Sequence, residues 1–110
     1  MKDAIDEGAD ALNAAIGEHA RAIREALGLT LRDAAALCAA VGYDVDFGFL
    51  GRLENGKKKW NLRALYGVSL AYGVMPEALF LPHDEQALVQ MVRDRGPTAA
   101  IAWARMRLGV

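Results

Sequence analysis

The segment from Leu53 to Lys59 reads L-E-N-G-K-K-K and joins the end of a predicted helix to a run of positive charge. Leu53 and Glu54 are typical of the last turn of a short helix. Gly56 is a natural C-terminal cap, because glycine takes the left-handed backbone conformation at little cost. The three lysines that follow form a concentrated positive patch, for which backbone phosphates are the commonest partner. A solubilising surface turn is the alternative interpretation of the same residues.

The composition predicts a helical chain with an uneven charge. The 110 residues include 21 alanines and few β-branched or aromatic residues, so helix is favoured nearly throughout, in one domain or one domain with an appendage. The net charge is −1, yet residues 1–18 carry one lysine against five acids, while residues 52–63 carry five bases against one acid. Local charge decides what the surface attracts, because salt screens charges beyond roughly 8 Å.

Helical spacing and capping chemistry predict the order of the elements. Apolar residues at steps of three and four form one stripe over residues 4–16 and a second over residues 16–27. Side chains suited to cap the helices that follow, and a proline suited to a first helical turn, stand at Thr30, Asp46, Asn61 and Pro76. Residues 43–49 also alternate as a strand would, but a lone strand leaves its backbone groups unpaired, so a helix from Asp46 is expected.

The sequence indicates no catalytic or metal site. Cys38 is the only cysteine and reads as a small buried hydrophobe in a reducing compartment. His19 and His83 lack metal-ligand spacing and are expected at the surface, and the single serine, Ser69, has no hydrolase constellation around it. Without a membrane-length apolar run or the features of a signal peptide, we expect a soluble cytoplasmic protein that is no enzyme and carries no cofactor.

Four segments in order resemble the lambda-repressor-like helix-turn-helix family, of the XRE or Cro type. They are I-G-x-x-A-R-x-I-R-x-x-x-G-L-T at residues 16–30, L-R-D-A-A at 31–35, L-G-R-L-E-N-G-K at 50–57 and V-S-L-A-Y-G-V-M-P-E-A-L at 68–79. The resemblance implies an all-α fold, with a five-helix DNA-binding domain over residues 16–81. An extra N-terminal helix over residues 1–15 would precede it, and two C-terminal helices within residues 82–110 would follow.

The resemblance also implies the roles of individual residues. Arg24 and Glu54 fall where family members often form a buried ion pair that joins the first helix to the end of the recognition helix. The resemblance places the following residues at or near double-stranded DNA: Arg32, Asp46, Phe47, Gly48, Phe49, Gly51, Arg52, Asn55, Lys57, Lys58, Lys59 and Arg63. The implied function is that of a sequence-specific transcriptional regulator, a repressor of phage, prophage or bacterial type, reading the major groove with its third helix.

Two departures from the family pattern leave alternatives open. The interval from Ala35 to Leu50 is about five residues longer than usual, so either the second helix is extended or the turn is a loop around residues 42–45. The recognition helix also carries two glycines and two phenylalanines where readers usually carry polar side chains, and of these only the phenylalanines offer an apolar contact to a thymine methyl. Phe47 and Phe49 therefore contact DNA, grip a protein partner or simply fill space beneath the longer turn.

Two further expectations concern the edges of the domain. Trp60 is expected to cap the core beneath the fourth helix, with base stacking as the alternative. Residues 82–110 carry more apolar surface than a tail should leave in water. They are therefore expected either to fold back on the domain or to form a homodimer, which would set two recognition helices about one DNA turn apart.

Overall fold

The computed structural model describes residues 3–81. Over that range the chain is all-α, as expected: it forms four α-helices and one short 3₁₀ turn, with no strand. The elements are α1 (Ala4–Ala26), α2 (Leu31–Ala40), α3 (Phe47–Glu54), α4 (Leu62–Tyr72) and the 3₁₀ turn (Pro76–Leu79). The expected count of five helices is not confirmed, since the fifth is this 3₁₀ turn. The helices expected over residues 84–95 and 97–108 lie outside the described residues.

Each α-helix begins at a side-chain cap. Thr30 and Asp33 form a reciprocal capping box at α2, with N···O distances of 3.1 and 3.0 Å. Asp46 accepts a hydrogen bond of 2.6 Å from the Phe49 amide at α3, and Asn61 accepts one of 2.8 Å from Ala64 at α4. The helix expected from Asp46 is therefore formed, and the strand-like alternation of residues 43–49 is not expressed as a strand.

One expectation about the first helix is wrong. α1 runs without a break from Ala4 to Ala26, so residues 4–15 are not part of a helix separate from the one that follows. The two predicted stripes share Ile16, and no proline or left-handed glycine interrupts the alanine-rich segment between them, so nothing stops the helix there. The first part of the stripe is also exposed within the described structure, with Ile5 80% and Leu12 47% accessible.

The core lies where α3 meets the other helices. Leu50 and Leu53 of α3 are completely buried, together with Ile23 of α1 and Val68 of α4. α2 packs against both α3 and α4, and α1 packs against α3. The 3₁₀ turn closes the fold against α1, where the His19 ring nitrogen Nδ1 lies 2.7 Å from the Leu79 carbonyl oxygen. His19 is therefore half-buried rather than a free surface residue.

The longer turn between α2 and α3 is a packed loop. α2 ends at Ala40, so the second helix is not extended, and residues 41–46 form the connection. The Tyr43 ring is buried against α4 at Gly67, where a Cβ atom would stand 2.6 Å from the ring. The Tyr43 amide also donates 2.8 Å to the Cys38 carbonyl. The additional residues are therefore anchored to α2 and α4 through Tyr43.

No helix within residues 3–81 combines the length and the apolar character needed to cross a lipid bilayer.

Candidate nucleic-acid interface

The lysine segment leaves α3 through a tight hydrogen-bonded return. Gly56 has φ +76°, a conformation that a side chain would strain. Its amide donates 3.3 Å to the Leu53 carbonyl, and the Lys57 amide donates 2.9 Å to the Arg52 carbonyl. These are the two bonds of a Schellman motif, which satisfies carbonyl groups at the end of the helix. Lys57 and Lys58 are therefore exposed directly at the C-terminal end of α3.

Asn13 of α1 holds this segment from the other side. Its side-chain amide donates 3.1 Å to the Lys58 carbonyl, and its oxygen accepts 2.7 Å from the Trp60 amide. One side chain thus binds the backbone on both sides of Lys59. Asn13 is not among the site residues predicted from the sequence. The available signal was weak: asparagine favours caps and turns and is a poor choice for the middle of an alanine-rich helix.

Trp60 packs at the end of α3. Its indole Nε1 donates 3.0 Å to the Leu53 carbonyl, and the side chain is half-buried against the core. Trp60 therefore packs against the core as expected. The hydrogen-bonding partner of its indole belongs to α3, however, and not to α4. With its ring nitrogen engaged in the protein, Trp60 is a structural support for the lysine segment.

Arg24 and Glu54 form the buried, bidentate pair that the resemblance implied. Arg24 Nε lies 2.7 Å from Glu54 Oε2, and Nη2 lies 3.0 Å from Oε1. The third guanidinium nitrogen donates 2.8 Å to the Leu29 carbonyl, so Arg24 links α1, the turn after it and α3. The hydrogen bond to Glu54 raises the pKa of Arg24. Both acceptor oxygens of Glu54 are used inside the protein, which leaves this carboxylate a structural role.

The accessible side of α3 carries part of the predicted set. Phe47, Arg52 and Asn55 are exposed there, and Gly48 and Gly51 are half-buried between them. Phe49 lies on another side of the helix, where it is half-buried and packs against the core. Residues 47 and 49 are about 200° apart around a helix that turns roughly 100° per residue, so the two phenylalanines do not share a face. Phe49 thus packs against the core, whereas Phe47 is 45% accessible.

Two guanidinium groups flank the N-terminal turn of α3. The Arg32 guanidinium carbon lies 4.7 Å from the centre of the Phe47 ring, within the range of a cation–π contact. Arg52 reaches back along the helix, and its Nη1 atom lies 3.7 Å from the position that a Cβ atom at Gly48 would occupy. Asp46 uses one carboxylate oxygen to cap the helix, and the helix N-terminus favours its negative charge.

Lys59 and Arg63 are oriented differently from the other predicted residues. Lys59 lines a cleft of about 520 Å³ on the α1 side, together with Asp6, Asp10 and Trp60. Arg63 turns toward the α2–α3 loop, where Nη2 lies 3.4 Å from the Gly42 carbonyl oxygen and the guanidinium lies 5.9 Å from the Tyr43 ring centre. Lys59 therefore lies beside α1 and Arg63 beside the α2–α3 loop, rather than against α3.

Within residues 3–81, no three His, Cys, Asp or Glu side chains converge as metal ligands would. Comparison of the chain with protein-family models, with curated proteins and with solved structures finds no match.

Proposed function

We propose that this protein is a transcriptional regulator that binds double-stranded DNA in a sequence-specific manner and represses by occupying an operator, as phage, prophage and bacterial repressors do. In this proposal α3 enters the major groove and the lysine segment contacts the phosphate backbone. The observation that carries the proposal is that Phe47 and Arg52 on α3, and Lys57 and Lys58 in the segment directly after it, are all exposed.

The rigidity of that surface supports the proposal. A helix reads base edges only if the protein fixes its orientation relative to the phosphates. Here the C-terminal end of α3 is fixed by the Arg24–Glu54 pair, and the segment beyond it by the two hydrogen bonds of Asn13. Ordering these groups on binding therefore costs little additional conformational entropy, since the folded chain already holds the backbone in place.

A protein-interaction role, such as that of an antitoxin-like or phage accessory protein, is the second candidate. The accessible ring of Phe47 favours it, because aromatic side chains are enriched at protein interfaces. Phe49 is half-buried against the core, so Phe47 would be the more accessible anchor for such a partner.

We also propose that the regulator acts as a homodimer, which would bind two half-sites about one helical turn apart.

The test measures binding of the full chain to a pool of fluorescent random duplexes by anisotropy, across salt concentrations. A protein with about six phosphate contacts should lose roughly three orders of magnitude in affinity between about 50 and 200 mM salt. The double variant Lys57→Glu, Lys58→Glu should bind all sequences more weakly and show a shallower salt slope, while its circular dichroism stays unchanged.

Arg21→Glu is the control, because Arg21 is exposed on α1 and contacts Glu25 there. It should leave DNA binding nearly unchanged, since it lies outside the proposed surface. Absence of measurable binding at low salt would refute the DNA proposal and favour the protein-interaction role. A loss of binding free energy in Arg21→Glu about half that in the lysine variant, in proportion to charge changes of −2 and −4, would mean that total charge, and not this surface, attracts the duplex.

A further inference from the structure

We infer that α3 reads a thymine and a guanine lying next to each other or one base pair apart, with Phe47 on the thymine methyl and Arg52 on the guanine. This inference rests on the proposed function. It specifies which duplexes the protein selects. The resemblance alone does not supply it, because typical readers carry polar side chains at these positions.

The accessible side of α3 is shaped by its two glycines. At roughly 100° per residue, Phe47 and Arg52 lie about 140° apart around the helix, and Gly48, Gly51 and Asn55 lie between them. The middle of the accessible side therefore has no side chain over its first turn and a half. The space that a side chain at Gly48 would fill is therefore open to the side chains of neighbouring residues.

The Arg52 guanidinium lies nearer the start of α3 than the Arg52 backbone does. Arg52 lies in the last turn of α3, but its Nη1 atom reaches the space above Gly48, 3.7 Å from the site of a missing Cβ atom. The donors therefore lie one turn nearer the N-terminus, above the residue that follows Phe47, where Asp46 Oδ1 also lies 3.3 Å from the Cβ position. A planar guanidinium pairs best with guanine, whose O6 and N7 atoms accept two parallel hydrogen bonds in the major groove.

Phe47 is the apolar side chain of the proposed contact. Arg32 covers its ring at 4.7 Å and so restricts the directions the ring can take. A phenyl ring has no donor or acceptor for a base edge, and the thymine methyl is the only apolar group in the major groove. Gly48 directly follows Phe47, so a guanidinium above Gly48 lies near the ring, and the two groups reach bases separated by at most about two steps of 3.4 Å.

The inference is tested on the best duplex selected from a randomised library by the full chain. Uracil in place of the contacted thymine removes only the methyl group and should lower affinity about fivefold, whereas Phe47→Ala should bind both duplexes equally. 7-Deazaguanine in place of guanine removes one acceptor and should lower affinity about tenfold, with no such loss in Arg52→Ala.

Two variants are matched controls. Tyr66→Ala removes an accessible aromatic side chain from α4, 58% exposed, and should retain the sensitivity to uracil. Arg21→Ala should retain the sensitivity to 7-deazaguanine. Selected duplexes without a neighbouring thymine and guanine, or equal affinity of the unmodified protein for thymine and uracil duplexes, would overturn the inference while leaving the proposed function intact. Failure to select any duplex would overturn both.

Discussion

The Arg24 guanidinium is a full positive charge whose side chain is only 11% exposed, and the Glu54 carboxylate that faces it is 4% exposed. Such a pair adds little stability compared with apolar residues of the same size, yet removing one partner leaves a buried charge uncompensated. We therefore expect Glu54→Gln to lower the free energy of unfolding by about 3–5 kcal/mol. Urea denaturation followed by far-UV circular dichroism measures this loss.

The chain contains its own control for that variant. Arg21 and Glu25 form an ion pair on the exposed surface of α1, with both side chains more than half accessible. Glu25→Gln should change stability by less than about 0.5 kcal/mol, because water screens the exposed pair. Equal effects of Glu25→Gln and Glu54→Gln would show that the buried pair does not join α1 to α3 as the geometry indicates.

Residue roles that depend on contacts between distant positions could not be predicted from the sequence. Asn13 and Lys58 are 45 positions apart, and no local pattern connects them. The position of Arg24 opposite Glu54 came from the family resemblance and not from spacing. Phe47 and Phe49 looked equivalent as neighbouring aromatic residues, and only the helical phase of α3 against the core separates them. The side of a short helix that is buried depends on packing, which the sequence of that helix does not contain.

At the scale of the elements, the contact between α1 and α3 has no room for a side chain. A Cβ atom at Gly17 would stand 2.5 Å from the Leu53 carbonyl oxygen and 2.6 Å from that of Glu54. Alanine would favour the helix by roughly 1 kcal/mol, but these are backbone atoms that cannot move alone. We expect Gly17→Ala to lower the free energy of unfolding by about 1–3 kcal/mol, because α3 must shift away.

Gly8→Ala is the matched control, because Gly8 lies in the same helix but outside the contact between α1 and α3. No heavy atom lies within 4 Å of its Cβ position. Gly8→Ala should therefore raise stability by up to about 1 kcal/mol through helix propensity alone. Thermal unfolding of the two variants should shift the midpoint in opposite directions. A Gly17→Ala variant as stable as Gly8→Ala would contradict the close approach of α1 and α3.

Helix bounds could be predicted well where they depend on local hydrogen bonds. Thr30, Asp46 and Asn61 cap amides three residues away, and Gly56 ends α3 within a few residues, so short stretches of sequence contain the whole interaction. The length of α1 could not be predicted in the same way. Its apolar pattern continues through residue 16 with a small change of phase, and a pattern without a stop signal does not define where one packed element ends.

At the scale of the whole molecule, charge is uneven along the chain but not separated in space. Acidic residues lie on the exposed first turns of α1, whereas the lysine segment lies beyond α3. The two meet at the cleft that Lys59 lines with Asp6 and Asp10. Opposite charges that lie close together partly cancel at a distance, so the net charge of −1 gives no indication of the proposed partner.

The reactivity of Cys38 can show whether the core opens as one cooperative unit. Cys38 is completely buried on α2, and burial raises the pKa of its thiol to about 12. A raised pKa favours the protonated form, so at about pH 8 only roughly one folded molecule in ten thousand carries the reactive thiolate. We expect a chromogenic disulfide reagent to label the folded protein far more slowly than the unfolded chain, because reaction requires opening of the core.

The labelling rate should then follow the stability of the domain. Glu54 lies on a different helix from Cys38, so Glu54→Gln changes the thiol only if α1, α2 and α3 open together. If it removes about 3 kcal/mol, labelling should accelerate on the order of a hundredfold, because the open population rises by that factor. Gly8→Ala should leave the rate unchanged or lower it. Rapid labelling of the unsubstituted protein, or a rate indifferent to Glu54→Gln, would mean that α2 opens independently and that the helices supporting α3 do not form one cooperative unit.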